Sequence, residues 1–262
     1  MSMDQRPSLT RRSVLTGLGC CACCGPAIPA LAQRFRPRTG CVVRGREAQR
    51  VLGSGVLSSN LGDLPEIVKG RSRTTGRIDL NRQLDRALQR LAKTFDVWPQ
   101  VGFYDDGDQP NAMAVWFEEG GRRTYAVVFG RTYFQTLFKY DPSGISFLQT
   151  AAHEFGHIWM YKSGQLDTLL EGQSTVKRAE LHADFLSGYY LGLRKRDNPQ
   201  ESFRSAGMKR WESGDTFIRD QDHHGTPQQR LAAAEAGFRL GFLENAPPAA
   251  AFAAATRYVR AL

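Results

Sequence analysis

Cysteine is scarce in this chain, and its distribution argues against a fold held together by disulfides. The 262-residue sequence contains five cysteines. Four of them, Cys20, Cys21, Cys23 and Cys24, lie inside the export signal predicted below, so their C-x-x-C spacings do not indicate a metal site. Only Cys41 follows, and the rest of the chain therefore cannot form an internal disulfide. Its stability must come from a hydrophobic core and from any metal that it binds.

The sequence also lacks a basic stripe interleaved with aromatic residues, although its formal net charge is +9. Basic residues are spread along the chain and mixed with acids, as in Arg194-Lys195-Arg196-Asp197. Nucleic-acid binding is therefore not expected. A basic surface would suit an anionic envelope or an acidic substrate, but an ordinary solvated surface requires neither.

A stable membrane-spanning helix is not expected in the mature chain. The long apolar run from about Val14 to Ala32 is interrupted by glycines and prolines. Arg11-Arg12 precede it, and Ala30-Leu31-Ala32 has the small-x-small pattern of a signal-peptidase site. These features predict a twin-arginine export signal over residues 1–32 and a periplasmic or otherwise exported protein. An uncleaved membrane anchor is the alternative.

Histidine is rare as well, with five in the chain, and two of them form an H-E-x-x-H motif. On a helix, His153 and His157 share one face and could hold one zinc ion, while Glu154 could reach a water on that metal. Turn residues predict that this helix begins after Asp141-Pro142-Ser143-Gly144 and ends at Ser163-Gly164. The alternative is that both histidines are held in the core by hydrogen bonds.

A third ligand is available on a second segment with helical periodicity, which starts at Arg178 and runs to about Leu193. Glu180 would complete a His2Glu set that leaves a fourth position open for water. Asp184, one turn further on, could accept the outer N–H of a ligating histidine. His182 points about 200° away from Glu180, so we expect it to be structural or on the surface. A solvated helix face is the alternative for the two acids.

The remaining pattern predicts an α+β domain over residues 77–262, preceded by an irregular segment over residues 33–76. An amphipathic helix ends before Trp98-Pro99, and three strand-like runs then predict a small antiparallel sheet. These runs are Val101–Tyr104, Ala112–Phe117 and Thr124–Phe129. One free edge of the sheet could pair with an extended peptide. Asp105–Asp108 is expected to be a solvated hairpin turn rather than a calcium loop.

Toward the carboxyl end, residues 194–222 are expected to be irregular. Thr226-Pro227-Gln228-Gln229 predicts the start of a helix with a capping box. His224 precedes this helix and could reach a bound substrate, although an ordinary surface histidine is equally expected. A final short helix is predicted from about Ala249 to Arg260.

The two motifs together resemble those of the gluzincins, most closely the minimal M48-like and neutral zinc metallopeptidases. His153-Glu154-Phe155-Gly156-His157 matches H-E-x-G-H, and Glu180-Leu181-His182-Ala183-Asp184 matches E-L-x-A-D. Asn111-Ala112-Met113-Ala114 looks like the N-A-x-A strand that precedes the active-site helix in that family. His224 and Arg230 keep the spacing of a late H-x5-R element, with Gly225 where many members have proline. The likeness spans roughly residues 80–240.

The resemblance implies a zincin-like domain with one catalytic zinc, held by His153, His157 and Glu180. Glu154 would act as the general base toward a zinc-activated water. His224 would donate a hydrogen bond to the tetrahedral oxyanion.

In the same resemblance, Asp184 would orient a ligand and Arg230 would anchor the late loop. The implied activity is that of an exported zinc endopeptidase acting on a peptide or protein substrate. A zinc hydrolase of a non-peptide envelope amide and a non-catalytic zinc-binding or chaperone-like module are the alternatives. The sequence does not determine the oligomeric state.

Overall fold

The computed structural model describes residues 42–44, 78–104, 106–107, 110–119, 121–218 and 220–262. All of them fall within the unit Arg38–Leu262. The predicted export signal over residues 1–32, and all of the predicted irregular segment over residues 33–76 except residues 42–44, lie outside the described residues.

The described chain alternates a small group of strands with a larger group of helices. The strands are β1 (Val42–Arg44), β2 (Gln100–Tyr104), β3 (Ala112–Glu119) and β4 (Arg122–Gly130). The helices are α1 (Ile78–Phe95), α2 (Arg131–Tyr140), α3 (Ile145–Ser163), α4 (Gln165–Leu170), α5 (Lys177–Asp197), α6 (Arg204–Glu212), α7 (Pro227–Phe242) and α8 (Pro248–Arg260). None of these helices is both long and apolar enough to cross a bilayer.

The four strands form one mixed sheet in the order β1-β3-β4-β2. Strands β3 and β4 pair antiparallel, whereas β1 pairs parallel with β3 and β2 pairs parallel with β4. The three predicted strands are confirmed, but the prediction of an antiparallel sheet is wrong. In the sheet, β4 lies between β2 and β3. Strand β2 therefore pairs in parallel with β4 and does not form a hairpin with β3. Strand β1 was also missed, because it falls in a segment predicted to be irregular.

Asp106 shows why the connection from β2 to β3 is not a solvated hairpin turn. Its side chain is buried, and its two carboxylate oxygens accept the backbone N–H groups of Thr132 and Tyr133, each at 2.9 Å. These N–H groups belong to the first turn of α2, where no intrahelical acceptor exists. The carboxylate therefore caps α2 from a distant part of the chain, which the local sequence does not reveal.

Helix α3 is the central element of the fold. It begins after the predicted turn and ends at Gly164, whose φ of 72° is the left-handed conformation favoured by glycine. Almost its whole circumference is buried, and the buried residues include the polar side chains of the H-E-x-x-H motif. Phe147 of α3 packs against Phe129 of β4, with ring centroids 4.8 Å apart. The sheet therefore covers one side of α3, and α5 lies against another side.

Asp141 fixes the beginning of α3. Its Oδ2 accepts the backbone N–H of Ser146 at 2.8 Å and the hydroxyl of Ser146 at 2.9 Å. The hydroxyl of Ser205, from α6, donates to the same oxygen at 2.8 Å. Asp141 thus caps α3 and ties α6 to its first turn.

Helices α5 and α7 approach so closely that only glycine fits at their contact. A Cβ atom added to Gly237 would lie 1.8 Å from the backbone oxygen of Phe185, and one added to Gly188 would lie 1.9 Å from that of Ala234. Gly192 and Gly241 repeat this arrangement one turn further along. The contact holds the first turns of α7 beside the first turns of α5, where the candidate site lies.

The carboxyl-terminal helices match the sequence analysis in part. Helix α7 begins at the predicted position with a capping box between Thr226 and Gln229, and α8 lies close to its predicted bounds. The prediction that residues 194–222 are irregular is wrong for Arg204–Glu212, which form α6. The apolar residues of this short helix are few, so its periodicity is weak.

Candidate metal centre

The candidate centre lies where α3 and α5 cross. Helix α3 carries the H-E-x-x-H motif, and α5 carries Glu180 and Asp184. A Cβ atom at Gly156 would lie 3.3 Å from the Cα atom of Ala183, so a larger residue in the middle of the motif would push the helices apart. The small residues Gly156 and Ala183 therefore let two helix backbones bring their polar side chains together.

The structure brings His153, His157 and Glu180 together. The Nε2 atoms of the two histidines lie 3.1 Å apart, and each of them lies 3.3 Å from one carboxylate oxygen of Glu180. All three side chains are buried. Ligand atoms bound to zinc at about 2.0–2.1 Å with tetrahedral angles are separated by about 3.3 Å, so the three side chains fit a zinc ion without rearrangement.

The hydrogen bonding of Glu180 also fits a cation. Neither carboxylate oxygen accepts a hydrogen bond of normal geometry from the described residues. Burial by itself raises the pKa of Glu180, but the neighbouring His157, His224 and His153 hold it well below its usual value. A buried ionised carboxylate requires a positive partner, and Arg230 Nη2 supplies one at 3.5 Å from Oε2. The two histidine nitrogens beside the carboxylate are of the type that binds zinc, so a metal ion would be a further partner.

Asp184 lies directly behind His153. Its Oδ1 is 2.8 Å from His153 Nδ1, the ring nitrogen that faces away from Glu180. Arg230 binds both oxygens of Asp184, with its Nε 2.6 Å from Oδ2 and its Nη2 3.0 Å from Oδ1. Arg210 Nη1 donates to Oδ1 at 2.7 Å. Burial raises the pKa of Asp184, but Arg230, Arg210 and His153 outweigh it, so the carboxylate stays ionised.

Arg230 therefore occupies the position that the sequence analysis gave it near the late loop. Besides Asp184, it donates from Nη1 to the backbone oxygen of Ser213 at 2.9 Å, where that loop begins. Arg210 was not identified from the sequence, because α6 was not predicted. The pairing of two buried arginines with one aspartate could be found only from the packing.

The loop between α6 and α7 places two histidines beside the centre. Asp215 Oδ1 lies 2.5 Å from His223 Nδ1, and Asp215 Oδ2 accepts the backbone N–H of His224 at 2.9 Å. Nε2 of His224 is buried and has no hydrogen-bond partner among the described residues. Gly225, which follows, has a φ of 103° that a proline could not adopt. Of these three residues, His224 alone was a candidate from the sequence; Asp215 and His223 were not identified.

A cleft of about 390 Å³ opens above the centre. Its walls include His153 and Glu154 of the motif, as well as His223, His224, Arg210 and Arg230. Asn111 and Ala112, at the start of β3, border the same cleft.

The edge of β3 beside the cleft is partly occupied. Gly130 N donates to Asn111 O at 2.8 Å, so Asn111 faces β4 and the backbone polar groups of Ala112 point to the opposite edge. On that edge β1 pairs with Ala114–Trp116. The predicted free edge is therefore covered by β1 over these three residues.

His182 has a different environment from the other histidines of the two motifs. It is buried, its ring stacks on Trp159 with centroids 5.7 Å apart, and its Nε2 lies 3.3 Å from the hydroxyl of Thr256. Burial, followed by the nearby His157, lowers its pKa to about 3. These contacts are consistent with the predicted structural role.

Comparison of the chain with family models, with curated proteins and with solved structures found no match. The likeness to gluzincins stays a prediction based on the two motifs.

Proposed function

We propose that this protein is a zinc-dependent metallopeptidase. The observation that carries the proposal is the convergence of His153 Nε2, His157 Nε2 and the Glu180 carboxylate, 3.1–3.3 Å from one another, beneath a cleft lined by Glu154. Two histidines and one carboxylate leave a fourth coordination position open, which is typical of catalytic rather than structural zinc sites. A zinc ion held there would polarise a substrate carbonyl and lower the pKa of a water molecule to about 7.

The side chains around the cleft would supply the remaining chemistry. Glu154 takes a proton from the attacking water and passes it to the departing nitrogen of the peptide bond. His224 donates a hydrogen bond from Nε2 to the negative charge that develops on the carbonyl oxygen. Asp184 holds the orientation of His153 through its contact with Nδ1, and Arg210 and Arg230 hold Asp184.

A peptide is the substrate that the cleft supports best. The backbone groups of Ala112 point to the β3 edge that borders the cleft, where an extended chain could add as a strand. The proposed zinc endopeptidase would be exported if the amino-terminal signal functions as the sequence predicts.

The test is digestion of a mixed peptide library by the full chain, after chelation and after reloading with zinc. Glu154→Gln is the matched variant, because the amide keeps the shape of the side chain but cannot accept a proton. We expect zinc-dependent cuts by the wild-type chain, and a loss of about 10²–10⁴-fold in the variant, which should bind zinc normally.

Other outcomes would support the alternatives. A folded, zinc-loaded chain that cuts no peptide but hydrolyses an envelope amide would be a hydrolase of another class. A chain that binds zinc and catalyses neither reaction would be a non-catalytic zinc-binding or chaperone-like module. Equal cutting by the wild-type chain and Glu154→Gln would remove Glu154 from the mechanism.

A further inference from the structure

The lining of the cleft, which also carries Asp215, Asp220 and Asp222, includes one cation that the proposed mechanism does not use. Lys209 of α6 lines the cleft, and its side chain is partly buried. Its Nζ atom lies 5.3 Å from the ring centroid of Tyr133, which lines the cleft from α2. The aromatic ring holds the ammonium group beside the cleft through a cation–π contact.

Lys209 makes no ion pair within the described part of the chain, although Glu212 on the same helix offsets part of its charge. Its neighbour Arg210 binds Asp184, as does Arg230. By contrast, no described carboxylate lies within ion-pair distance of Lys209 Nζ, which contacts the ring of Tyr133 instead. Burial, and then the neighbouring Arg210, lower the pKa of Lys209, and Glu212 offsets only part of this effect.

Lys209 is linked to the candidate centre through its neighbour Arg210, whose Nη1 lies 3.2 Å from Nδ1 of His153. Thr150 lines the same cleft and precedes Glu154 by four residues on α3, so it lies just over one turn, about 6 Å, toward the amino end of the helix. The hydroxyl of Thr150 donates to Ser146 O at 3.0 Å and is therefore already used. In an extended peptide, one residue spans about 3.3 Å. A side chain next to the reacting bond could therefore reach the part of the cleft that Thr150 lines.

We propose that Lys209, held beside the cleft by Tyr133, forms a subsite that selects a carboxylate on the residue next to the scissile bond. This inference rests on the proposed peptidase function and names its substrate class. The carboxylate would belong to an acidic side chain or to the carboxyl terminus of the peptide, since both carry the same group. An ammonium–carboxylate hydrogen bond in a partly buried subsite is among the stronger polar contacts of a binding site.

The test compares blocked peptides that carry glutamate or glutamine next to the cut bond, and a third peptide with a free terminal carboxylate at that place. The full chain, loaded with zinc, should cut the glutamate peptide about tenfold or more faster in kcat/KM than the glutamine peptide. The difference should lie mainly in KM, because the contact is present before the transition state. Preference for the third peptide alone would assign the subsite to a terminal carboxylate.

Lys209→Met should reduce the glutamate preference to about one, and Lys209→Glu should reverse it. Lys209→Arg should keep most of it, which a purely structural role of Lys209 does not predict. The control is Lys139→Met, which removes the same charge from an exposed position on α2 and should leave the preference unchanged.

Two failures are distinguishable. Zinc-dependent cutting without any charge preference in the wild-type chain, or with the same preference in Lys209→Met, would overturn the subsite and leave the peptidase intact. If no peptide is cut, equilibrium binding of the blocked peptides to the Glu154→Gln chain still tests the subsite. Equal binding of the glutamate and glutamine peptides would then overturn it, whereas tighter binding of the glutamate peptide that depends on Lys209 would support it.

Discussion

His223 and His224 are adjacent in the sequence, but their ring nitrogens have different surroundings. His223 Nδ1 pairs with Asp215, whereas Nε2 of His224 is buried without a hydrogen-bond partner in the described structure. His224 is also close enough to Glu180 for its charge to lower the pKa of that carboxylate. A buried ring nitrogen without a partner, beside the proposed metal ligands, is suited to donate to a charge that would form in the proposed reaction.

We therefore expect His224→Ala to lower kcat by about 10²–10³-fold while zinc content and KM change little. The matched variant is His223→Ala, which should cost stability because it breaks the pairing with Asp215, but should retain most of kcat. Peptide turnover and zinc content of both variants provide the measurement. A large loss of kcat in His223→Ala together with an active His224→Ala would transfer the role to His223.

The sequence revealed those parts of the site that depend on local periodicity. His153 and His157 share a face because a helix repeats every 3.6 residues, and the same rule joins Glu180 and Asp184. Arg210 and Asp215 follow no such rule, since their roles come from the packing of α6 and its following loop against α3 and α5. Their residue types are common on surfaces, and only the contacts with Asp184 and His223 distinguish them.

At the scale of helices, the contact between α5 and α7 depends on glycines, because a residue with a Cβ atom would not fit there. We expect Gly237→Ala to destabilise the protein by about 3 kcal/mol or more, because its Cβ atom would lie 1.8 Å from Phe185 O and the helices would have to separate. Zinc affinity should also fall, since Arg230 on α7 would move away from Asp184. Urea unfolding and zinc titration measure the two effects.

Gly207 provides the control for this substitution. It lies within α6, and a Cβ atom there would meet only Leu231 Cδ1, at 3.7 Å. Gly207→Ala should therefore be neutral or stabilise the protein by about 0.5–1 kcal/mol, because alanine loses less backbone entropy in a helix. Equal unfolding midpoints for Gly237→Ala and the wild-type chain would contradict the tight contact.

The cap of α3 should make stability depend on pH. Burial raises the pKa of Asp141, but hydrogen bonds from Ser143, Ser146 and Ser205 outweigh burial and hold the pKa below its ordinary value. The unfolded pKa is about 3.9, so the contribution of Asp141 is complete above about pH 4. It is lost as the pH falls from there through the lower native pKa.

Asp141→Asn should therefore cost about 1–2 kcal/mol at pH 7 and less at pH 3. Urea unfolding of the variant and the wild-type chain at both pH values gives the comparison. Glu235→Gln, on an exposed position of α7, should change stability by less than about 0.5 kcal/mol at either pH. A deficit in Asp141→Asn that stays constant from pH 7 to pH 3 would show that the charge of Asp141 is not what stabilises α3.

The sequence predicted most elements but not how they connect. Helices α3, α5, α7 and α8 were predictable because their apolar periodicity and their caps agree. The parallel pairing of β2 with β4 was not, since strand periodicity identifies a strand but not its neighbour. The cap that Asp106 provides was not predictable either, because a side chain that caps a helix 26 residues later leaves no local pattern.

At the scale of the whole molecule, the candidate metal centre joins helices that are far apart in the sequence. If it binds a metal ion, metal binding and folding should therefore be coupled. The ligands His153 and Glu180 come from α3 and α5, and the unfolded chain cannot hold them 3.3 Å apart. A ligand that binds only the folded state stabilises it by an amount that grows with the logarithm of its concentration. Zinc at about 1,000 times its dissociation constant would add about 4 kcal/mol.

For a unit of this size, that free energy corresponds to a rise in Tm of roughly 10 °C. Thermal unfolding of the full chain after chelation, and after zinc is restored, measures this shift. Glu154→Gln should show the full shift, because Glu154 is not among the three ligands, whereas Glu180→Ala should show little or none. Because Glu180→Ala also removes a buried charge, its response to zinc, and not its Tm alone, is the decisive quantity. A Glu180→Ala chain that gains the same stability from zinc as the wild-type chain would mean that Glu180 is not the third ligand.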